Sequence, residues 1–325
     1  MSIITYKDAV RDALREEMMR DEQVYLLGED IAQFGGSYKT CTGLFEQFGK
    51  ERVRNAPLAE MGIVGCALGS ALLGKRPVAE IMYVDFTACC MSQIVNEVAK
   101  TTYMYGGQAK VPLVIRTQGG SGRASAAQHA QSLEAWFTHV PGLYVVMPST
   151  PYDAKGLLKT AIRDNNPVIF IEHKLLYNTK GEVPEDEYLI PLGKADIKRK
   201  GDDVTIITWS RCVDFSLKAA EELSKEGINV EVIDLRSLKP LDEEAIINSV
   251  EKTGRVVIVH EACKNSGFGA EIIAIINEKA FDSLDAPIER VAGFDVPMPF
   301  NPHLESLAIP DVPKIVKSVK KVFNL

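Results

Sequence analysis

Glu60 is the first residue whose setting could do chemistry. It stands in Pro57-Leu58-Ala59-Glu60-Met61-Gly62, at the head of a stretch that is otherwise apolar and small. A carboxylate there has two readings. It is a helix-terminus charge, worth about 0.3–1 kcal/mol, or it faces an apolar cleft and holds a proton on a bound heterocycle. Downstream, Glu80-Ile81-Met82-Tyr83-Val84-Asp85-Phe86 leaves an apolar run. Residues at the carboxyl end of a buried strand enter the crevice where open α/β sheets bind ligands, so Phe86 is either a stacking face or a core aromatic. His129, in Ser125-Ala126-Ala127-Gln128-His129, follows the glycine-rich Gly119-Gly120-Ser121-Gly122. Its side chain titrates near neutrality and suits proton transfer, or it is a plain surface or interface histidine.

Other strings resemble chemistry without completing it. Gly69-Ser70-Ala71-Leu72-Leu73-Gly74-Lys75 nearly spells a phosphate loop, but Arg76 stands where a magnesium-binding hydroxyl belongs. Gly119-Gly120-Ser121-Gly122 does not complete a dinucleotide fingerprint, because position 125 is Ser. The five histidines form no zinc motif, and there is no G-x-S-x-G elbow. Six cysteines contain no C-x-x-C pair; Cys66, Cys89, Cys90 and Cys212 sit in apolar runs and are expected as buried free thiols.

The elements that must carry these residues alternate. Short apolar runs at 24–27, 78–84, 113–116, 144–147, 168–172, 204–209, 230–235, 256–260 and 288–291 predict strands. Longer helical periods fall at 6–21, 61–73, 86–103, 151–163, 213–225, 243–252, 268–281 and 313–322. That order predicts mostly parallel sheets with helices on both faces, an α/β chain. At 325 residues two domains are expected, and the polar, Pro/Gly-punctuated stretch 181–202 predicts the linker between 1–180 and 203–325. A net charge of −7, from 37 Lys and Arg against 44 Asp and Glu, argues against a broad nucleic-acid or anionic-membrane surface. No apolar run approaches the roughly 20 residues of a membrane span, and the N-terminus has no signal-peptide pattern, so a cytoplasmic location is expected.

Taken in order, Gly28-Glu29-Asp30, Ala59-Glu60-Met61-Gly62, Ala79-Glu80-Ile81-Met82, Gln128-His129, Pro141-Gly142-Leu143, Tyr152-Asp153-Ala154-Lys155-Gly156 and Arg163-Asp164-Asn165-Asn166-Pro167 form a set. On these strings the chain resembles, end to end, the β subunits of thiamine-diphosphate-dependent 2-oxo acid dehydrogenase components, with pyruvate and acetoin dehydrogenases nearest. The resemblance implies a transketolase-like pyrimidine-binding domain followed by a transketolase C-terminal-type domain. It implies that Glu60 hydrogen-bonds the cofactor's aminopyrimidine ring and favours the tautomer that takes the thiazolium proton. Phe86 and Met82 would pack on that ring. His129 would stand near the site mouth and assist acyl transfer to a lipoyl group. Leu113, Ala161, Ile162, Asp164 and Asn166 would form a potassium site.

No Gly-Asp-Gly occurs; Gly201-Asp202-Asp203 lacks the second Gly. The family holds magnesium and diphosphate through that motif, so an α subunit must supply it. The resemblance thus implies a tetramer of two α and two β chains, serving a lipoyl-bearing acyltransferase core with dihydrolipoamide dehydrogenase. The substrate would be pyruvate or acetoin. The alternatives are a branched-chain 2-oxo acid, another transketolase-like subunit or a non-catalytic one. Cys89 stands where some pyruvate-type relatives carry Gln, which leaves the substrate open.

Overall fold

The computed structural model describes residues 1–325. The chain divides into two compact units, one of residues 1–119 and 136–192, the other of residues 120–135 and 193–325. The second unit thus takes a segment from within the range 1–180 expected for the first domain.

The first unit begins with β1 (Ser2–Thr5) and α1 (Tyr6–Arg20), followed by β2 (Val24–Glu29) and α2 (Leu44–Phe48). Next come β3 (Val53–Ala56), α3 (Glu60–Leu72), β4 (Arg76–Ile81), α4 (Thr101–Met104) and β5 (Val114–Gly119). The division between the units falls within α5 (Glu134–Thr138); β6 (Tyr144–Val146), α6 (Pro151–Arg163), β7 (Val168–His173) and β8 (Lys180–Val183) complete the first unit. β6, β7, β5, β4, β2 and β3 are parallel neighbours in that order. The central strands are near-continuous apolar runs because both of their faces are covered. α1 starts on a Thr5 cap, which accepts from the Asp8 amide at 3.2 Å, and buries Tyr6, Val10, Ala13, Leu14 and Met18 at helical spacing. α6 starts on a Thr150 cap with Pro151 in its first turn.

The second unit contains β9 (Asp196–Arg199), β10 (Val204–Thr208), α7 (Cys212–Ser224), β11 (Val230–Asp234), β12 (Ser237–Lys239) and α8 (Glu243–Thr253). It continues with β13 (Val256–Cys263), α9 (Gly269–Ala280), β14 (Glu289–Gly293), α10 (Pro302–Ala308) and α11 (Val312–Val322). Its sheet runs β14-β13-β10-β11-β9, parallel except for β9. Val204, Ile206, Val230, Val232, Val257 and Val259 pack with Leu223, Ile315 and Val319 as its core.

Three expectations meet corrections. The helix predicted over 86–103 is broken into a 3₁₀ turn at Val84–Cys90, a π turn at Gln93–Val98 and the short α4. Thr87 and Thr101 hydroxyls donate to the Val84 and Glu97 carbonyls, both at 2.6 Å, and so compete for groups a regular helix would use. The stretch 181–202, expected as the linker, divides between the units, with 181–192 belonging to the first. Tyr188 stacks on Tyr152 at 4.7 Å and Ile190 lies over Gly156, while β9 pairs with β11. Among the cysteines, Cys90 and Cys212 are buried as expected, but Cys66 and Cys89 are exposed, on the outward side of α3 and on the 3₁₀ turn.

Gly142 tests the packing of the first unit. Its φ is +98°, and a Cβ there would lie 2.0 Å from the Ala99 carbonyl oxygen. Gly142→Ala is expected to cost about 3 kcal/mol, from positive-φ strain plus the clash. Denaturant unfolding checks it, and a loss under about 0.5 kcal/mol would contradict this close approach.

Candidate functional site

Parallel strands bring all their carboxyl ends to one edge. In the first unit the chain places β3 on one side of β2 and then β4 on the other, so the topology switches beside β2. That edge is the expected ligand crevice of such a sheet. It receives Glu29 from the end of β2, Glu60 from the first turn of α3, and Met82 directly after β4. Phe86 sits on the 3₁₀ turn that follows, with its ring edge-on to Tyr83 at 5.4 Å. Glu60, Met82 and Phe86 are each half-buried. The Glu60 carboxylate has no hydrogen-bond or ion-pair partner within the chain, so it stays open to a donor from outside. Glu29 is pushed up by burial, and Asp30 and Glu60 add to the rise. Burial and Glu60 likewise push the Cys90 thiol up to about 12. The structure therefore groups Glu29, Glu60 and Cys90 into one electrostatic neighbourhood.

Beneath this edge lies a charged cluster that motif reading missed. Glu80 of β4 is in register with Arg116 of β5, and Glu172 is two residues beyond Phe170, the β7 partner of Arg116. Side chains alternate along a strand, so all three share one face. Arg116 Nε donates to Glu172 Oε1 at 2.6 Å, and Nη2 donates to Oε2 at 3.0 Å. Nη1 donates to Glu80 Oε2 at 2.9 Å, and Nη2 reaches Thr40 Oγ1 at 3.3 Å. Tyr177 donates its hydroxyl to Glu172 Oε2 at 2.7 Å, and the Cys41 thiol faces Glu80 Oε2 at 3.7 Å. Burial pushes Glu80 up, with Arg116 opposing and Glu172 adding to the rise. For Arg116 burial opposes the charge, but Glu172 and Glu80 outweigh it and hold the proton on well above the ordinary value. The readable signal was a lone charge inside each of three apolar strands, which is costly unless paired. Tyr177 stacks on Tyr38 at 4.7 Å, Tyr38 meets Tyr83 at 6.2 Å, and Tyr83 meets Phe86, so aromatic rings run from this cluster to the edge.

The remaining candidates lie elsewhere. His129 is half-buried on the segment 120–135, which belongs to the second unit. Leu113, Ala161, Ile162, Asp164 and Asn166 lie in the first unit around the end of α6 and the start of β5. There Arg76 already donates to the Ile162 carbonyl, at 2.8 Å, and to the Asp164 carbonyl, while Asn166 Nδ2 donates to Asp164 Oδ1 at 2.9 Å. The Leu113 carbonyl accepts from the Val168 amide at 2.9 Å. A cationic side chain thus serves two of the five residues expected to hold potassium. Nowhere do three or more His, Cys, Asp or Glu side chains gather as a metal set. The unpartnered Glu60 carboxylate and the Phe86 and Met82 side chains fit an aminopyrimidine ring.

Glu134 of α5 is a further residue that motif reading missed. It is buried in the second unit, accepts from Trp209 Nε1 at 3.2 Å, and leaves Oε2 without a partner. Burial pushes it up to about 7, against the pull of its amide and Trp209 hydrogen bonds.

Comparison with known proteins follows the two units. Residues 2–180 match the family model described as "Transketolase, pyrimidine binding domain", and residues 193–315 match "Transketolase, C-terminal domain". A "2-oxoisovalerate dehydrogenase subunit beta" of Bacillus subtilis is 48% identical over 324 residues, 99% of each chain. A "Pyruvate dehydrogenase E1 component subunit beta" of Rickettsia felis is 50% identical over 319 residues, 98% of each chain. The chain belongs to the transketolase-like family of 2-oxo acid and acetoin dehydrogenase β subunits. Its acetoin branch is represented by "Acetoin:2,6-dichlorophenolindophenol oxidoreductase subunit beta" of Bacillus subtilis, 48% identical and covering 97% of this chain and 95% of the relative. Among solved structures, a "Split gene transketolase, inactive beta4 tetramer" aligns with a TM-score of 0.82 at 25% identity, covering 99% of each chain. In this β-subunit family the expected transketolase-like, two-domain α/β architecture holds.

Two measurements check the electrostatics. Arg116→Met would strand two buried carboxylates and is expected to cost about 3–5 kcal/mol. A loss within about 1 kcal/mol in denaturant unfolding would contradict the cluster as described. For Glu134, the folded chain keeps the proton up to about 7 while the unfolded chain loses it near 4.5. Stability is therefore untouched below the lower value, falls as pH rises between the two, and stays reduced above the upper one. Glu134→Gln removes that loss, so its stability relative to the parent should grow by about 3 kcal/mol from pH 4 to pH 8. Trp209 fluorescence during unfolding reads it, and a pH-independent difference would refute the buried, protonated state.

Proposed function

We propose that this chain is the β subunit of a thiamine-diphosphate-dependent dehydrogenase that acts on pyruvate or acetoin. With an α subunit it passes a two-carbon unit to the lipoyl group of an acyltransferase, and dihydrolipoamide dehydrogenase reoxidises that group. The observation carrying this reading is the half-site at the β2–β4 switch, an unpartnered Glu60 carboxylate beside Met82 and Phe86. α3 supports a partner chain as well. It is apolar on both sides, burying Ile63, Val64, Ala67 and Leu68 and leaving Met61, Cys66 and Leu72 outward. A helix apolar all round is covered on all sides in its working state.

Bound thiamine diphosphate would supply the nucleophilic thiazolium carbon. Glu60 would accept a hydrogen bond from the aminopyrimidine ring and hold the proton that ring exchanges. Phe86 and Met82 would pack against the ring and exclude water. Magnesium and the diphosphate would be held by the α subunit, in a tetramer of two α and two β chains. Potassium at Leu113, Ala161, Ile162, Asp164 and Asn166 would share the Ile162 and Asp164 carbonyls with Arg76. His129 would assist acyl transfer to the lipoyl arm. A cytoplasmic place belongs to this reading, and no helix is long and apolar enough to cross a membrane.

A second reading, a branched-chain 2-oxo acid, is favoured by the Bacillus subtilis 2-oxoisovalerate relative. Substrate-dependent dye reduction by the α–β complex separates the two, with pyruvate, acetoin and a branched 2-oxo acid compared side by side. Within that assay Glu60→Gln should lower turnover by at least about a hundredfold, the usual scale for a proton-exchanging group. Near-normal turnover of that variant would remove Glu60 from the chemistry.

A further inference from the structure

The loop that carries His129 is held by carboxylates. Gly120 donates its amide to the Gln131 carbonyl at 2.9 Å, which closes residues 120–131 at the neck. Inside the loop, Ala124 and Ala126 take φ of +51° and +62°, a region alanine adopts only under constraint from its surroundings. The constraint comes from two elements of the same unit. Glu305 of α10 is buried; its Oε1 accepts from the Gly122 amide at 2.7 Å and its Oε2 from the Ala124 amide at 2.9 Å. Glu261 of β13 accepts from the Ser121 amide at 2.7 Å and from the Ser132 hydroxyl at 3.5 Å. Three amides in four residues thus end on carboxylate oxygens.

A buried carboxylate costs free energy unless its oxygens are satisfied, and for Glu305 the two loop amides are the groups that satisfy it. The loop's far limb also walls a cavity of about 450 Å³, together with Glu261, Cys263, Phe294 and Asp295. We propose that Glu305 and Glu261 are positioning residues that fix the His129 loop, and through it the delivery of the acyl unit to its lipoyl acceptor. This rests on the role proposed above for His129.

Glu305→Gln is the test, made in the α–β complex. A glutamine has one acceptor oxygen for two amides and turns an N–H toward the other. Amide exchange followed by mass spectrometry should speed about tenfold in peptides covering 120–132, leaving peptides of β10 and β13 unchanged. Trypsin should cut faster after the exposed Arg123. Acyl transfer to a lipoyl domain should fall about tenfold relative to dye reduction by the same preparation. A contribution to folding alone would not move that ratio. Unchanged loop exchange, or a loosened loop with the parental ratio, would overturn the proposal. Should Glu305→Gln fail to fold, Glu261→Gln is read by the same two measures, and the same results support or overturn the proposal. Failure of the underlying reading shows separately, as a parent complex that reduces dye without acylating the lipoyl domain, or as a His129→Ala variant with the parental ratio.

Discussion

Arg116 is the interaction on which the first unit is organised. It sits at the middle of three adjacent parallel strands and is tied to a carboxylate on each neighbour. A guanidinium this deeply buried is stable only while both anions are in place, and each anion depends on it in turn. A slip of one residue in β4 or β7 would turn its glutamate to the other face and leave the arginine uncompensated. The apolar strands around it supply most of the burial energy but little register information, since one Val or Ile replaces another at small cost. The cluster therefore sets the register, and register places the strand ends.

From those strand ends the chemistry follows. Glu29, Met82 and, through β3, Glu60 come to one edge because the strands are parallel and the order switches beside β2. What gathers there is acid and aromatic. The second unit uses carboxylates differently. Glu305 spends its charge on two main-chain amides and Glu261 divides its own between an amide and Arg211, and both so give shape to a loop, while burial pushes Glu134 up to about 7.

Much of this was legible in the sequence, for identifiable reasons. Long amphipathic periods such as 151–163, with Thr150 and Pro151 ahead of them, mark helix starts plainly. Apolar runs alternating with helices are enough to predict parallel sheets. Glu60 stood out as a lone charge in a small, apolar stretch, and the absence of Gly-Asp-Gly pointed to a partner. Arg116, Glu80 and Glu172 were hidden because the strands that hold them read as apolar runs, and pairing across strands leaves no local pattern. Glu305 was hidden for another reason: its partners are backbone amides, which carry no residue signature. The broken segment after β4 reads as a helix because its apolar spacing is helical; the threonine hydroxyls that divert its carbonyls are a tertiary outcome.

On the proposed function, this chain holds one half of a cofactor site. Calorimetric titration of thiamine diphosphate with magnesium tests it most directly, first into the chain alone and then into its complex with the α partner. The half-site predicts binding to the complex at least about a hundredfold tighter than to the chain alone, a difference of roughly 2.7 kcal/mol. Equally tight, magnesium-dependent binding by the isolated chain would contradict it.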